Sequence, residues 1–127
     1  MNINVGTIVF KALSGTIATY PVIAEEQAAT PFAVYRRMGV SPVVGKCGYR
    51  GENAFTVEII VADANYTRSI TKAQEVIDSI LATLGSDGVI EARLDNSSED
   101  YADELYTQRM TFVLTVREQE KQAQPTE

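Results

Sequence analysis

Phe55-Thr56-Val57-Glu58-Ile59-Ile60-Val61-Ala62, followed at once by the stretch from Ile70 to Leu84, decides how this chain folds. In the first segment Phe55, Val57, Ile59 and Val61 alternate with Thr56, Glu58, Ile60 and Ala62. A pleated strand turns successive side chains to opposite faces, so this pattern predicts a strand with one greasy side. In the second, Ile70, Ala73, Val76, Ile77, Ile80, Leu81 and Leu84 recur at helical spacing and form one apolar stripe. Gly85 follows and is placed to end the helix in a left-handed cap.

Downstream, Val89 to Leu94 alternates again, and Asp95 to Glu104 reads as a polar, acidic loop. Tyr106 to Arg117 closes the half-chain as a strand whose Met110, Phe112, Leu114 and Val116 share a face. Upstream, Ile3, Val5, Ile8, Val9 and Leu13 predict a short helix over Asn2 to Leu13, weakened by Gly6 and its β-branched residues. Thr16 to Ala24 is β-like, but Pro21 has no N–H to give to a ladder, so it belongs at an edge. Glu25 to Pro31 reads as a polar loop and Phe32 to Met38 as a strand, with Arg36 and Arg37 on opposite faces.

Gly39 to Asn53 carries Gly39, Pro42, Gly45, Gly48 and Gly51, and reads as a protruding 15-residue connection between two antiparallel strands. Long loops in compact domains are usually functional or mobile. Helix and sheet each have one apolar side, and closing them on each other gives one core. The expectation is an α+β domain over residues 1–117: a mainly antiparallel sheet of four to five strands with two helices packed on one face. Residues 118–127 are polar and aperiodic and read as a flexible tail.

Composition narrows the function classes. With 127 residues, 45% of them hydrophobic, the chain buries a core without a disulfide or metal staple. No apolar run approaches the length of a membrane span, and Met1 to Val5 has no signal-peptide pattern. The single Cys47 cannot pair within the chain, which fits folding in a reducing cytosol. A net charge of −6 argues against a nucleic-acid binder, does not exclude a surface past which nucleic acid slides without sticking, and suits plain solubility. There is no His, which removes the commonest general base and a common metal ligand. Carboxylate pairs such as Glu99 with Asp103, or Asp100 with Glu104, could run acid–base chemistry or hold a hard cation only in a partly desolvated cleft.

The ordered set of motifs resembles the tail completion, or tail terminator, proteins of long-tailed phages. A short N-terminal helix precedes Thr19-Tyr20-Pro21-Val22-Ile23-Ala24, and a polar spacer leads to Thr30-Pro31-Phe32-Ala33-Val34-Tyr35. Then come the strand Ala54 to Ala62, a helix of the Thr71-Lys72-Ala73-Gln74-Glu75-Val76 type, Gly88-Val89-Ile90 and the acidic Ser98-Glu99-Asp100-Tyr101. Leu105-Tyr106-Thr107-Gln108-Arg109-Met110-Thr111-Phe112 looks like the last strand of the family. The chain departs from the family at Val61-Ala62-Asp63-Ala64, where many members carry a polar-aromatic ending, and in the long Gly39–Asn53 connection.

The resemblance implies a virion protein, with the host cytoplasm as the place of assembly. It implies a ring, usually a hexamer, on the head-proximal end of the tail tube, which ends polymerisation and docks the head connector. The partners are then further copies of the chain, the tail tube protein and the connector, with DNA passing through the lumen and no catalysis, cofactor, metal or membrane. A head–tail connector or neck ring, or a small cytosolic ligand-binding domain, are the alternatives.

A ring needs two different, complementary surfaces on each subunit. The first expected surface is the long connection with its flank: Arg36, Arg37, Val40, Val43, Val44, Lys46, Tyr49 and Arg50. The second is the acidic segment: Glu99, Asp100, Tyr101, Asp103 and Glu104. Opposite charges across such a contact steer association and fix register. Both segments also read as ordinary solvated loops, and the two arginines as side chains lying over apolar surface.

Overall fold

The computed structural model describes residues 5–21, 29–45 and 48–117. The chain runs α1 (Val5–Leu13), β1 (Ala18–Pro21), β2 (Phe32–Gly45), β3 (Gly48–Asp63), α2 (Tyr66–Leu81), β4 (Val89–Ala102) and β5 (Leu105–Arg117). The five strands form one sheet in the order β1-β2-β3-β5-β4. Only β1 and β2 are parallel; every other neighbouring pair is antiparallel. The expected α+β class stands.

Both helices lie on one side of the sheet. Val5, Ile8, Val9 and Leu13 of α1 and Ala73, Val76 and Ile80 of α2 are buried with Phe55, Val57, Ile59 and Val61 of β3 and Met110, Phe112, Leu114 and Val116 of β5. The cross-strand register explains why these strand residues share a face: Phe55 pairs with Leu114, Val57 with Phe112 and Ile59 with Met110. In an antiparallel ladder directly paired residues project to the same side, so one alternating strand selects its neighbour's alternation.

The structure corrects the sequence reading in several places. The buried row of α2 is Ser69, Ala73, Val76 and Ile80, with Ile77 partly buried beside it. Ile70 and Leu84 are 44% and 56% exposed, so they are not part of the seal. Each step along a helix turns the side chain by about 100°, so Ile70 has rotated off the row that begins at Ser69. The helix also ends at Leu81; Ala82 caps it in the right-handed region, bonding back to Asp78. Gly85 has φ 91° as expected of a left-handed residue, but it serves the turn into β4, where its N–H bonds the Val89 carbonyl.

The two presumed loops are strands. Residues 39–45 and 48–53 continue the β2–β3 ladder as a ribbon, with Gly39 opposite Thr56 and Gly45 opposite Gly48. Register shifts fall between Arg37 and Gly39, where β2 carries the extra residue as a bulge, and between Pro42 and Val44, where the excess is on β3. Gly48 and Gly51, with φ 92° and 81°, adopt backbone that favours glycine. The segment 95–102 likewise belongs to β4, and the acidic turn shrinks to Asp103 and Glu104, both at positive φ (54° and 65°). That is the two-residue connection whose twist matches its flanking strands. Pro21 does sit on an edge strand. Residues 2–4 of the expected first helix, 22–24 of the expected first strand, 25–28 of the polar loop, Lys46, Cys47 and the tail 118–127 lie outside the described residues.

The junction of β3 with α2 is fixed by a buried ion pair. Asp63, fully buried, accepts from Arg68 Nε at 2.7 Å and Nη2 at 2.8 Å and from the Asn65 N–H at 3.1 Å. Asn65 is the N-cap, and its side chain accepts from the Arg68 N–H at 2.9 Å. The Arg68 hydrogen bonds hold the Asp63 carboxyl below its ordinary value; burial opposes them, and the Asn65 and Ala64 backbone N–H groups add to them.

Two stability predictions follow from this packing. Phe112→Ala removes a fully buried ring from the core and should cost about 3–5 kcal/mol in denaturant unfolding. Asp63→Asn should cost roughly 1–3 kcal/mol at neutral pH. Because the folded-state pKa lies below the unfolded one, the carboxylate's contribution is complete above about pH 4 and is lost as pH falls through the folded value. The gap between native and variant unfolding midpoints should therefore narrow in acid.

Candidate functional site

The two hairpins extend from the sheet at opposite ends. The outermost pairing of β3 with β5 at one end is Glu52 with Arg117, and the β2–β3 ribbon continues past it through Gly48. The other end is Asp63 with Tyr106, and there the β4–β5 ladder continues to Ala102 opposite Leu105. The two hairpins that carry most of the expected surface residues are thus kept apart within one chain.

On the β2–β3 ribbon, Met38, Val40, Val43 and Val44 are all exposed. Val40 pairs with Phe55 and so stands on the side of the sheet that carries the helices, beyond the cover that they give. Val44 pairs with Tyr49 near the tip. The side chains of Lys46, Tyr49 and Arg50 lie outside the described residues. The result is a two-stranded arm with several exposed apolar side chains. Exposed apolar area of this kind marks interaction surface when it is contiguous.

Arg36 and Arg37 belong to the body of the sheet rather than to the arm. Arg37 pairs with Val57 on the helix side and is exposed. Arg36 projects to the open side and donates from Nε to Glu58 Oε1 at 2.9 Å. Arg109 reaches the other oxygen, Nε to Oε2, at 3.5 Å. Glu58 is buried under these two guanidiniums although it stands on a sheet face that no helix covers. Together with Val34 and Ile60 the three charged residues line a notch of about 200 Å³.

At the opposite end, the acidic hairpin is organised by tyrosines. Tyr101 and Tyr106 approach with ring centres 4.6 Å apart, and Tyr66 at the start of α2 lies 5.2 Å from Tyr106. The Tyr66 hydroxyl donates to Glu99, and Gln108 Nε2 donates both to Glu99 and to Ser69 Oγ. The Glu99 carboxylate raises the Tyr66 pKa, since ionising the phenol would cost the hydrogen bond and add a like charge. Tyr101 remains 55% exposed. Asp103 and Glu104 occupy the turn, and Asp100 accepts from the next residue's N–H.

The paired carboxylates considered for catalysis are therefore divided between a tyrosine-bound strand position and an exposed turn. Among the described residues no group of three or more His, Cys, Asp and Glu is placed to hold a metal ion. No described helix is long and apolar enough to cross a membrane. A second concavity, of about 260 Å³, opens between α1 and the end of α2 and is bridged by Lys11 and Asp87 at 3.5 Å.

Glu58, Arg109, Tyr66 and Tyr106 are absent from the sequence-derived set. Glu58 and Arg109 could have been found from alternation, since each breaks an apolar run on its polar side. Their meeting with Arg36 required the register. Tyr66 could not have been found, because its role depends on where α2 begins relative to β5.

No protein-family model matches the chain, and no curated protein matches it. Among solved structures, the chain is similar to one from a structure described as the virion of a native gene transfer agent (GTA) particle, at a TM-score of 0.63 and 13% identity. The likeness covers 87% of this chain and 84% of that one. The helix-on-sheet fold of this chain is thus also the fold of a chain in that particle.

Proposed function

We propose that the protein is a structural component of a phage-like virion. We further propose that it acts as a tail completion protein: a ring on the head-proximal end of the tail tube that ends tube growth and docks the head connector. The observation that carries the reading is the fold shared with a virion chain over nearly the full length of both. The order of sequence motifs from Tyr20-Pro21 to Phe112 supports the finer assignment. The geometry is also suited to it. Two dissimilar hairpins at opposite ends of one sheet give each subunit different surfaces, which is what closed head-to-tail assembly needs.

In this reading the protein works by assembly and performs no catalysis. Its partners are further copies of itself, the tail tube protein and the connector, and DNA crosses the lumen without being held. The net charge of −6 favours passage over binding, because a negative wall gains nothing from phosphate.

Electron microscopy of particles made without the protein tests the assignment. Tails of irregular length that fail to join heads are expected. Tails of normal length that attach normally would refute it, and a labelled copy found in the neck rather than on the tube end would replace it by the connector reading.

A further inference from the structure

The Arg36–Glu58–Arg109 notch has one feature that its own fold does not use. Glu58, with its side chain 5% exposed, draws a single Nε from each guanidinium. The terminal nitrogens of Arg36 and Arg109 have no partner among the described residues, and both side chains are more than half exposed. Two cations over one carboxylate leave one positive charge in excess, held in fixed orientation above an apolar floor of Val34 and Ile60. Guanidinium groups held in this way present paired N–H donors that match a carboxylate.

The same chain carries the complementary group. Leu94 to Gln108 contains five carboxylates and no Lys or Arg. Asp103 and Glu104 at its turn have no partner among the described residues. They cannot reach the notch of their own subunit. The β4–β5 ladder is paired as far as Ala102 and Leu105, so the turn points along the sheet and cannot fold back onto its face.

We propose that the Arg36–Glu58–Arg109 notch receives the Asp103–Glu104 turn of a second copy of this chain. The inference rests on the ring assembly proposed above and names the charged contact within it. Each copy has one notch and one turn at separate places, so the contact repeats head to tail. Glu58 has a positioning role: it takes the Nε of each arginine and leaves their terminal nitrogens for the incoming turn.

Sedimentation velocity of the purified full chain tests this. The native protein should self-associate, and raised salt should weaken the association. Arg36→Gln with Arg109→Gln disables the notch, and Asp103→Asn with Glu104→Gln disables the turn. Each double variant should weaken association about tenfold or more. Mixed in equal amounts, the two variants should form dimers and nothing larger, because one intact notch meets one intact turn. A monomeric native protein, a folded variant that associates as the native does, or a mixture without dimers would overturn the proposal. If the arginine variant does not fold, the turn variant decides alone: it must dissociate, and added to native protein it must shorten the oligomers. Variants that dissociate alongside normal tails in the null particle would refute the tail function and leave this contact standing. Defective null tails with variants that still associate would do the reverse.

Discussion

The seal between two helices and the β3–β5 pair is the constraint on which the rest of the molecule depends. Val76 and Ile80 from α2 and Val9 and Leu13 from α1 close over Val57, Ile59, Phe112 and Leu114, and all of these are fully buried or nearly so. Burying side chains of this size is the dominant favourable term in folding, worth about 1.5–3 kcal/mol for each against exposure. The remainder of the sheet is attached to that centre. β2 and β4 flank it by backbone ladders, and β1 adds only four residues at the edge. Because stability is gathered at the centre, the two hairpins are released from packing duty and can carry residues chosen for contact with other molecules.

The two sides of the sheet divide the labour. One is dry and sealed; the other is open and is organised by charge. Glu58 shows how the open side is kept ordered without a helix over it. A carboxylate desolvated by two arginines is costly to leave unpaired, so the pair of contacts fixes three strands relative to one another. Asp63 and Arg68 do the same at the start of α2, where an ion pair and an N-cap set the angle at which the chain leaves the sheet.

The sequence was legible where one face of an element is buried. Phe55–Val61 and Met110–Val116 alternate because the seal demands it, and both strands lie where alternation placed them. It was illegible where neither face is buried. The ribbon segments 39–45 and 48–53 and the strand from Asp95 to Ala102 have no dry side to impose a period, and their Gly, Pro and Asp content imitates loops. The α2 stripe differs for another reason: Ile70 and Leu84 are apolar but exposed, and Ser69 is polar but buried, its hydroxyl donating to the Tyr66 carbonyl. Of the candidate surfaces, the acidic turn and the apolar arm were visible as composition. The notch was not, because Arg36, Glu58 and Arg109 come from three strands whose register only the fold supplies.

The length of β3 has a mechanical consequence. Its 16 residues span about 50 Å, running unbroken from the tip of the arm to the start of α2. From Glu52 to Asp63 it is bonded on one side to β5, and along most of its course it is bonded on the other to β2. A pull on the arm along the strand is therefore carried by covalent backbone into the middle of the domain. There it loads many ladder bonds at once, in shear, instead of peeling them open one after another. The chain, pulled at that end, would resist as a strut braced on both flanks.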